Sequence, residues 1–214
     1  MSLTVKPPGT PSARRERTRR RLMEAAVHVV AEKGVNGASV EEICERAGFT
    51  RGAFYSNFGS KEDLCLAVMR QHVEDHLARA NEALDSAEQE GLDAEHTLVR
   101  AVDLVVDSQD AESETLLTMH ELRLLAIRNP EVRGGFLEME EQTDAMVASI
   151  IERGIERHGL RLVLPGREVG RLLGSVFEQG LLDAALHDRR GDKSAVKRQM
   201  VAVLRALMTD APTA

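Results

Sequence analysis

The sequence predicts an all-α fold of about nine helices, with a small three-helix N-terminal domain followed by a larger helical domain. Two observations carry this prediction. Apolar residues recur at i, i+3, i+4 and i+7 through most of the 214 residues, and capping residues and glycines punctuate these runs. No segment alternates with period two over a useful length, so no strand is expected.

The chain begins with an arm and a first helix. Residues 1–13 hold three prolines and a glycine without periodicity, which is typical of a disordered arm. The helical pattern starts at Arg14, and Gly34 supplies its stop.

Three short capped segments follow. Ser39 caps a second helix, with Glu42 as its capping-box partner, and Gly48 ends it. Thr50 caps a third helix of about two turns, and Ser60 caps a fourth, longer one. We therefore place the first domain at residues 14–61.

Residues 62–209 form the second predicted domain, with four or five more amphipathic helices. Asn129-Pro130 ends one of them, and another stops near Gly159. The last two are predicted at about 167–188 and 194–208.

Charge is divided unevenly along the chain. Residues 1–61 carry a net charge of +5 and residues 62–214 carry −12. A basic head on an acidic body suits a protein that presents one end to phosphate. No apolar run suits a membrane span or a secretory signal, so we expect a cytoplasmic protein with no membrane partner.

Residues 39–58 meet the demands of a helix-turn-helix. Gly48 lies between two short helices, where a positive φ is needed. The second of these helices offers small and polar residues at 50–53, while Phe54 and Phe58 can face inward and anchor it. Such a helix is suited to the major groove of DNA.

The residues in this region closely resemble the TetR family of bacterial regulators. The resemblance rests on T-R-R-R-L-M-E-A-A at 18–26, Gly34, S-V-E-E-I at 39–43, A-G-F-T-R-G-A-F-Y-S-N-F at 47–58 and S-K-E-D-L at 60–64. It covers roughly residues 14–65. Leu22 and Cys44 depart from the usual Ile and Ala. The remaining 150 or so residues resemble the family only in helix count and order.

The resemblance implies DNA contacts at seven positions. Base edges would be contacted by Arg51 and Gly52, together with Thr50 and Asn57, and phosphates by Ser39, Tyr55 and Lys61. Arginine is the usual reader of guanine, and glycine lets backbone approach the bases. The arginines at 14, 15, 17, 19, 20 and 21 either follow a minor groove or are simply a solvated helix start.

The resemblance also implies a homodimer built from the last two helices. The predicted interface residues are Gly170, Leu173, Gly174, Phe177, Leu181, Val196, Met200 and Leu204. Two glycines and a wide apolar face support close helix approach. The alternative is that this helix is the core of the monomer.

A small-molecule effector would bind among the helices of residues 62–157. The candidate lining residues are Leu116, Met119, His120, Arg123, Met146 and Ile150, with His96 as a further polar candidate. Phe136 is the one aromatic residue in this range, which favours an aliphatic or amphipathic effector over a flat aromatic cation. A Met-rich stripe is more often core than pocket, so a core without a cavity is the alternative.

The sequence indicates no catalytic residues, no cofactor and no metal site. His72 and His76 have the i, i+4 spacing of a metal pair but no evident third ligand, and Cys44 and Cys65 are better read as buried small residues than as a redox pair. We predict a sequence-specific transcriptional repressor that binds a palindromic operator in double-stranded DNA and is released by an effector. The alternatives are an activator of the same fold or a helical metal-dependent enzyme.

Overall fold

The computed structural model describes residues 13–107, 113–189 and 192–210. These residues form nine helices and two short strands: α1 Ala13–Gly37, α2 Val40–Ala47, α3 Arg51–Tyr55, α4 Lys61–Gln89, α5 Ala94–Asp107, α6 Ser113–Arg128, α7 Pro130–Arg157, β1 Leu160–Leu162, α8 Gly166–Leu186, α9 Ser194–Leu207 and β2 Met208–Asp210. The predicted all-α class and helix count are confirmed. The predicted arm at residues 1–13 lies outside the described residues except for Ala13, which begins α1.

The capping signals at the first three interhelical turns work as predicted. Ser39 and Glu42 form the complete capping box of α2, and Gly48 ends that helix in the left-handed conformation at φ 71° and ψ 35°. Thr50 and Ser60 accept backbone hydrogen bonds as the N-caps of α3 and α4. Local chemistry therefore sets the angle between α2 and α3.

The strands are a feature that the sequence did not predict. β1 and β2 pair antiparallel, with Leu162 opposite Met208, so the segments that follow α7 and α9 lie side by side. Three residues each are too few to show a period of two.

Two hydrophobic cores hold the chain together. The first joins α1, α2, α3 and the beginning of α4 to α6 and the start of α7, with Leu22, Phe54 and Leu64 fully buried at its centre. The second joins α5, α8 and α9 around Val106 and Val169. The first turns of α4 therefore pack in the same core as the helix-turn-helix.

Four of the predicted dimer residues belong to this second core. Leu173, Val196, Met200 and Leu204 are all buried within the single chain. Their assignment to a dimer interface was wrong, because the apolar face of α8 and α9 that they form packs against α5. For these residues the alternative prediction, a monomer core, applies.

One of the two predicted interface glycines, Gly170, also differs from expectation, whereas Gly174 stays a prediction. A Cβ on Gly170 would lie 2.7 Å from Val147 Cγ1, so this glycine permits contact between α7 and α8 inside the chain. Gly174 is exposed with open space around it. Among the described residues, none of the helices is both long and apolar enough to cross a bilayer.

Candidate DNA interface and ligand cavity

The outer face of α3 is formed by the residues predicted to meet DNA. Thr50, Arg51, Gly52 and Tyr55 are all exposed, while Phe54 behind them is completely buried. Because the buried Phe54 ring anchors α3 in the core, the polar face of this helix is a rigid and accessible surface. The geometry is suited to the contacts that the sequence predicts, and those contacts remain predictions.

The side chain of Arg51, the first residue of α3, reaches across to α2 in the absence of DNA. Its Nη1 forms an ion pair with Glu41 Oε1 at 2.7 Å, and the Arg51 side chain is still 61% exposed. Its guanidinium carbon lies 5.9 Å from the centre of the Tyr55 ring. Glu41 was not singled out in the sequence, and any guanine must compete with it for Arg51.

Two of the predicted DNA contacts are turned towards the protein. The Ser39 hydroxyl accepts from the amide of Glu42 at 3.2 Å and donates to its carboxylate at 2.7 Å. Asn57 lies beyond the end of α3, where its Nδ2 donates to the carbonyl of Ala53 at 2.8 Å. Both side chains have structural roles in this state.

Lys61 has a structural role that the sequence did not reveal. Its Nζ donates to the carbonyl oxygens of Val35 at 2.8 Å and Ala38 at 3.0 Å, in the turn between α1 and α2. An ammonium group has three donors, so one remains for a phosphate. Lys61 ties the start of α4 to the helix-turn-helix.

The arginine cluster on α1 divides into two groups. Arg19 donates to the carbonyl of Asn57 at 2.6 Å and stacks on Phe58, and Arg21 donates to the carbonyl of Ala47 at 2.8 Å and stacks on Phe49. These two hold the C-terminal ends of α3 and α2. The other four arginines (Arg14, Arg15, Arg17 and Arg20) are exposed on the outer side of α1.

Both cysteines are free and buried in the first core, as expected for small apolar residues. Burial raises the pKa of the Cys44 thiol, and it raises the pKa of Cys65 to about 12. Thiols that stay protonated are poor nucleophiles.

A cavity of about 790 Å³ lies in the larger domain, between the two cores. It is bounded by α4, α5, α6, α7 and α8, together with Met200, Leu204 and Met208. This volume is typical of a binding site for a small molecule. A Met-rich core without a cavity, the alternative prediction, does not fit this region.

Five of the six predicted ligand residues line this cavity: Leu116, Met119, His120, Arg123 and Ile150. Met146 does not, and its prediction was wrong, since it is 45% exposed on the outer side of α7. His96 is likewise at the surface, where it bonds to Asp93. Phe177 and Leu181, predicted for the dimer interface, line the cavity instead.

The sequence missed most of the polar groups of the cavity. Arg123 forms a bidentate ion pair with Glu178 of α8, with N–O distances of 2.5 and 2.8 Å. Glu140 and Asp144 of α7 also line this wall. These residues are far apart in sequence, so no local pattern marks them as neighbours.

His72 and His76 face the cavity from α4, with ring centres 4.3 Å apart. Burial lowers the pKa of both, to about 3 for His76, so both are neutral near pH 7. Among the described residues, no group of three or more His, Cys, Asp or Glu side chains is arranged to hold a metal ion.

Helix α6 contacts the cavity with one face and the helix-turn-helix domain with the other. On one face of α6, Met119 and Arg123 line the cavity. On its other face, Thr118 donates to the carbonyl of Val27 at 2.9 Å, and Glu121 accepts from the amide of Val35 at 3.1 Å. Any displacement of α6 reaches α1 through these bonds.

The exposed face of α3, its basic flank on α1 and the buried anchor rings define a helix-turn-helix DNA-binding protein. Comparison with known proteins agrees. Residues 22–68 match the model for bacterial regulatory proteins of the tetR family.

The match to curated relatives extends beyond this region. The chain is 28% identical over 154 residues to the HTH-type transcriptional activator FasR of Mycolicibacterium smegmatis, covering 71% of this chain and 68% of that protein. It is 33% identical over 104 residues to the HTH-type transcriptional regulator TtgR of Pseudomonas putida, covering 48% of this chain and 50% of TtgR. The chain thus spans about two thirds of one relative and half of the other.

The whole fold has solved counterparts. The transcriptional regulator FadR from Bacillus subtilis, solved in complex with stearoyl-CoA, superposes with a TM-score of 0.66 at 20% identity, over 87% of this chain and 95% of that one. Residues 22–68 thus form a DNA-binding domain of the tetR family, and the chain is a DNA-binding transcriptional regulator.

Proposed function

We propose that the protein is a homodimeric, sequence-specific repressor whose affinity for a palindromic operator is lowered when an amphipathic small molecule enters the cavity. The observation that carries this proposal is the position of α6, with one face in the cavity wall and the other bonded to α1. A ligand that prefers a different position of α6 would shift the equilibrium between two arrangements of the DNA-binding domains.

The composition of α3 supports its placement in a major groove. A Cβ on Gly52 would meet only the Thr50 hydroxyl, at an ordinary 3.7 Å, so nothing inside the chain requires glycine at this position. Close approach of a base edge is a physical reason for it. Arg51 precedes Gly52 on the same exposed face, and Tyr55 follows one turn later.

A two-fold dimer would place two such helices about 34 Å apart, which is one turn of DNA. We assign the dimer face to the outer side of α8 and α9, opposite the face that was first predicted. Leu172 and Leu186 are 44% and 79% exposed there, and α9 presents Ala195, Ala202 and Ala206 alongside. Small and apolar residues on adjacent helices suit close packing with a second copy.

Substitution of Arg51 tests the DNA-binding part of the proposal. An operator is first selected from random DNA with the purified protein, and affinities for operator and non-operator DNA are then compared. We expect Arg51→Ala to cost about 1–3 kcal/mol per base contact and to relax sequence preference. Arg46→Ala is a matched control, because Arg46 is also exposed and paired with a glutamate but lies on α2. If Arg51→Ala leaves sequence preference intact while Arg46→Ala relaxes it, the assignment of α3 to the major groove is wrong.

Activation of transcription is a second candidate, because the relative FasR is named an activator. Repression and activation use the same DNA-binding surface and differ in where the operator lies. Transcription in vitro from a promoter that carries the selected operator distinguishes them, since a repressor lowers the transcript level and an activator raises it.

A further inference from the structure

The cavity extends along most of α7. Its lining residues on α7 run from Phe136 to Ile155, a helical distance of roughly 28 Å at the rise of an α-helix. A volume of about 790 Å³ spread along this length forms a channel. Such a channel is suited to one extended chain and poorly suited to a compact ring system.

Polarity changes along the channel. Towards the C-terminal end of α7 its lining is largely aliphatic and includes Leu84, Leu98, Ile151, Ile155 and Leu204. Towards the N-terminal end of α7, a charged cluster contains Arg123, Glu140, Asp144, Arg171 and Glu178. The Arg171 side chain is 61% exposed, so this charged cluster lies where the channel meets solvent.

The five charges of this cluster do not cancel. Arg123 pairs with Glu178, and Arg171 pairs with Asp144 at 2.6 Å. Glu140 has no ion pair or hydrogen bond within the described part of the chain, and the cluster therefore carries one unmatched negative charge. Burial and the carboxylates of Asp144 and Glu178 raise the pKa of Glu140, although the two arginines oppose that shift. The histidines of this wall, His72 and His76, are neutral near pH 7 and add no positive charge.

We propose that the channel selects a straight-chain amphiphile with a cationic head group, which pairs with Glu140 while its hydrocarbon chain occupies the aliphatic end. This proposal rests on the effector site in the proposed function and names its ligand class. A cation supplies the charge that the cluster lacks, in a partly desolvated position where pairing is stronger than in water. An anionic head would have to displace Glu178 from Arg123 while facing Glu140 and Asp144.

The position of Glu140 also connects ligand binding to α6. Its carboxylate interacts electrostatically with Arg123 of α6. A bound cation reduces the negative field at Arg123, and Arg123 lies two residues from Glu121, which holds the turn after α1. The head group is thus recognised beside the helix that contacts the DNA-binding domain.

Three probes with the same dodecyl chain test this inference: dodecylammonium, dodecanol and dodecanoate, each below its critical micelle concentration. Affinity is measured by calorimetry with the full-length protein and with the variants Glu140→Gln and Glu141→Gln. Glu141 is a matched control, because it is the adjacent carboxylate on α7 but pairs with Arg167 at the surface and does not line the channel. We expect dodecylammonium to bind at least about tenfold more tightly than the other probes, with this preference lost in Glu140→Gln and kept in Glu141→Gln.

The possible failures are distinguishable. Equal binding of all three probes would overturn the head-group assignment but leave the channel as an effector site. Tightest binding of dodecanoate, lost in Arg123→Gln, would overturn it in favour of an anionic head. If none of the probes binds, both this inference and the effector part of the proposed function fail.

Discussion

Replacement of Lys61 by methionine separates two roles that one residue could have. The sequence predicts a phosphate contact, whereas the structure has the Lys61 ammonium bonded to two carbonyls of the α1–α2 turn. Methionine keeps most of the aliphatic stem and removes all the donors. A loss of stability in the absence of DNA would therefore report the intramolecular bonds alone.

The magnitude follows from the two bonds. A hydrogen bond to a charged group contributes about 1.5–3 kcal/mol to stability. Because Lys61 is partly exposed, the contributions of both bonds should lie at or below the low end of this range. We expect Lys61→Met to lower the free energy of unfolding by about 2–3 kcal/mol. For a chain of this size, the first 2 kcal/mol alone correspond to a fall in Tm of about 4–8 °C.

The assay is thermal and urea unfolding at one fixed protein concentration, followed by operator binding across a salt series. Lys33→Met is the control, because Lys33 forms a solvent-exposed pair with Glu42 that should contribute little to stability. If the third donor of Lys61 meets a phosphate, the salt slope also falls by about one unit per subunit. An unchanged Tm together with a lower salt slope would refute the structural role and leave only the phosphate contact.

Three further predictions concern the body of the protein. Leu172→Glu combined with Leu186→Glu should give folded monomers by sedimentation, whereas Leu137→Glu, on an exposed site of α7, should leave the oligomeric state unchanged. Thr118→Val should cost about 1 kcal/mol in urea unfolding because its bond to α1 is lost, and an equal stability to wild type would mean that this bond is unimportant. The folded-state pKa of His76 is below its ordinary 6.5, so the folded protein prefers the neutral form of this side chain. The stability that His76 contributes is therefore complete above about pH 6.5 and is lost as the pH falls towards 3. When the pH is lowered from about 7.5 to 5, the free energy of unfolding should fall by about 2 kcal/mol more in the wild type than in His76→Gln. Urea unfolding at the two pH values measures this difference, and the surface variant His96→Gln, as the control, should behave like the wild type.

The sequence was most informative where structure depends on neighbours along the chain. The capping box of Ser39 and Glu42, the left-handed Gly48 and the cap at Thr50 are all local, and the spacing of residues along the chain predicts each of them. The inward position of Phe54 followed from helical spacing in the same way. The DNA-binding domain was therefore largely predictable.

The larger domain was less predictable, because its helices are apolar over wide faces. Periodicity alone cannot decide which side of α8 faces the body, so Leu173 was assigned to a partner while its neighbour Leu172 is the exposed residue. Arg123 and Glu178 are 55 positions apart in the sequence, so no local pattern of residues reveals that they pair. The side-chain hydrogen bonds of Lys61 also join segments that are distant in sequence, and they were missed for the same reason.

The two faces of α6 place unequal constraints on how this protein can change. Substitutions on the channel walls of α5 and α8 can alter which molecule is bound without touching the DNA-binding domain, because within the described part of the chain neither helix contributes to the first core. A substitution on α6 acts on both sides at once, because Met119 and Arg123 line the channel while Thr118 and Glu121 bond to α1. Divergence of ligand preference, whether natural or by design of a biosensor, should therefore accumulate first on α5 and α8 and leave the wall formed by α6 nearly unchanged.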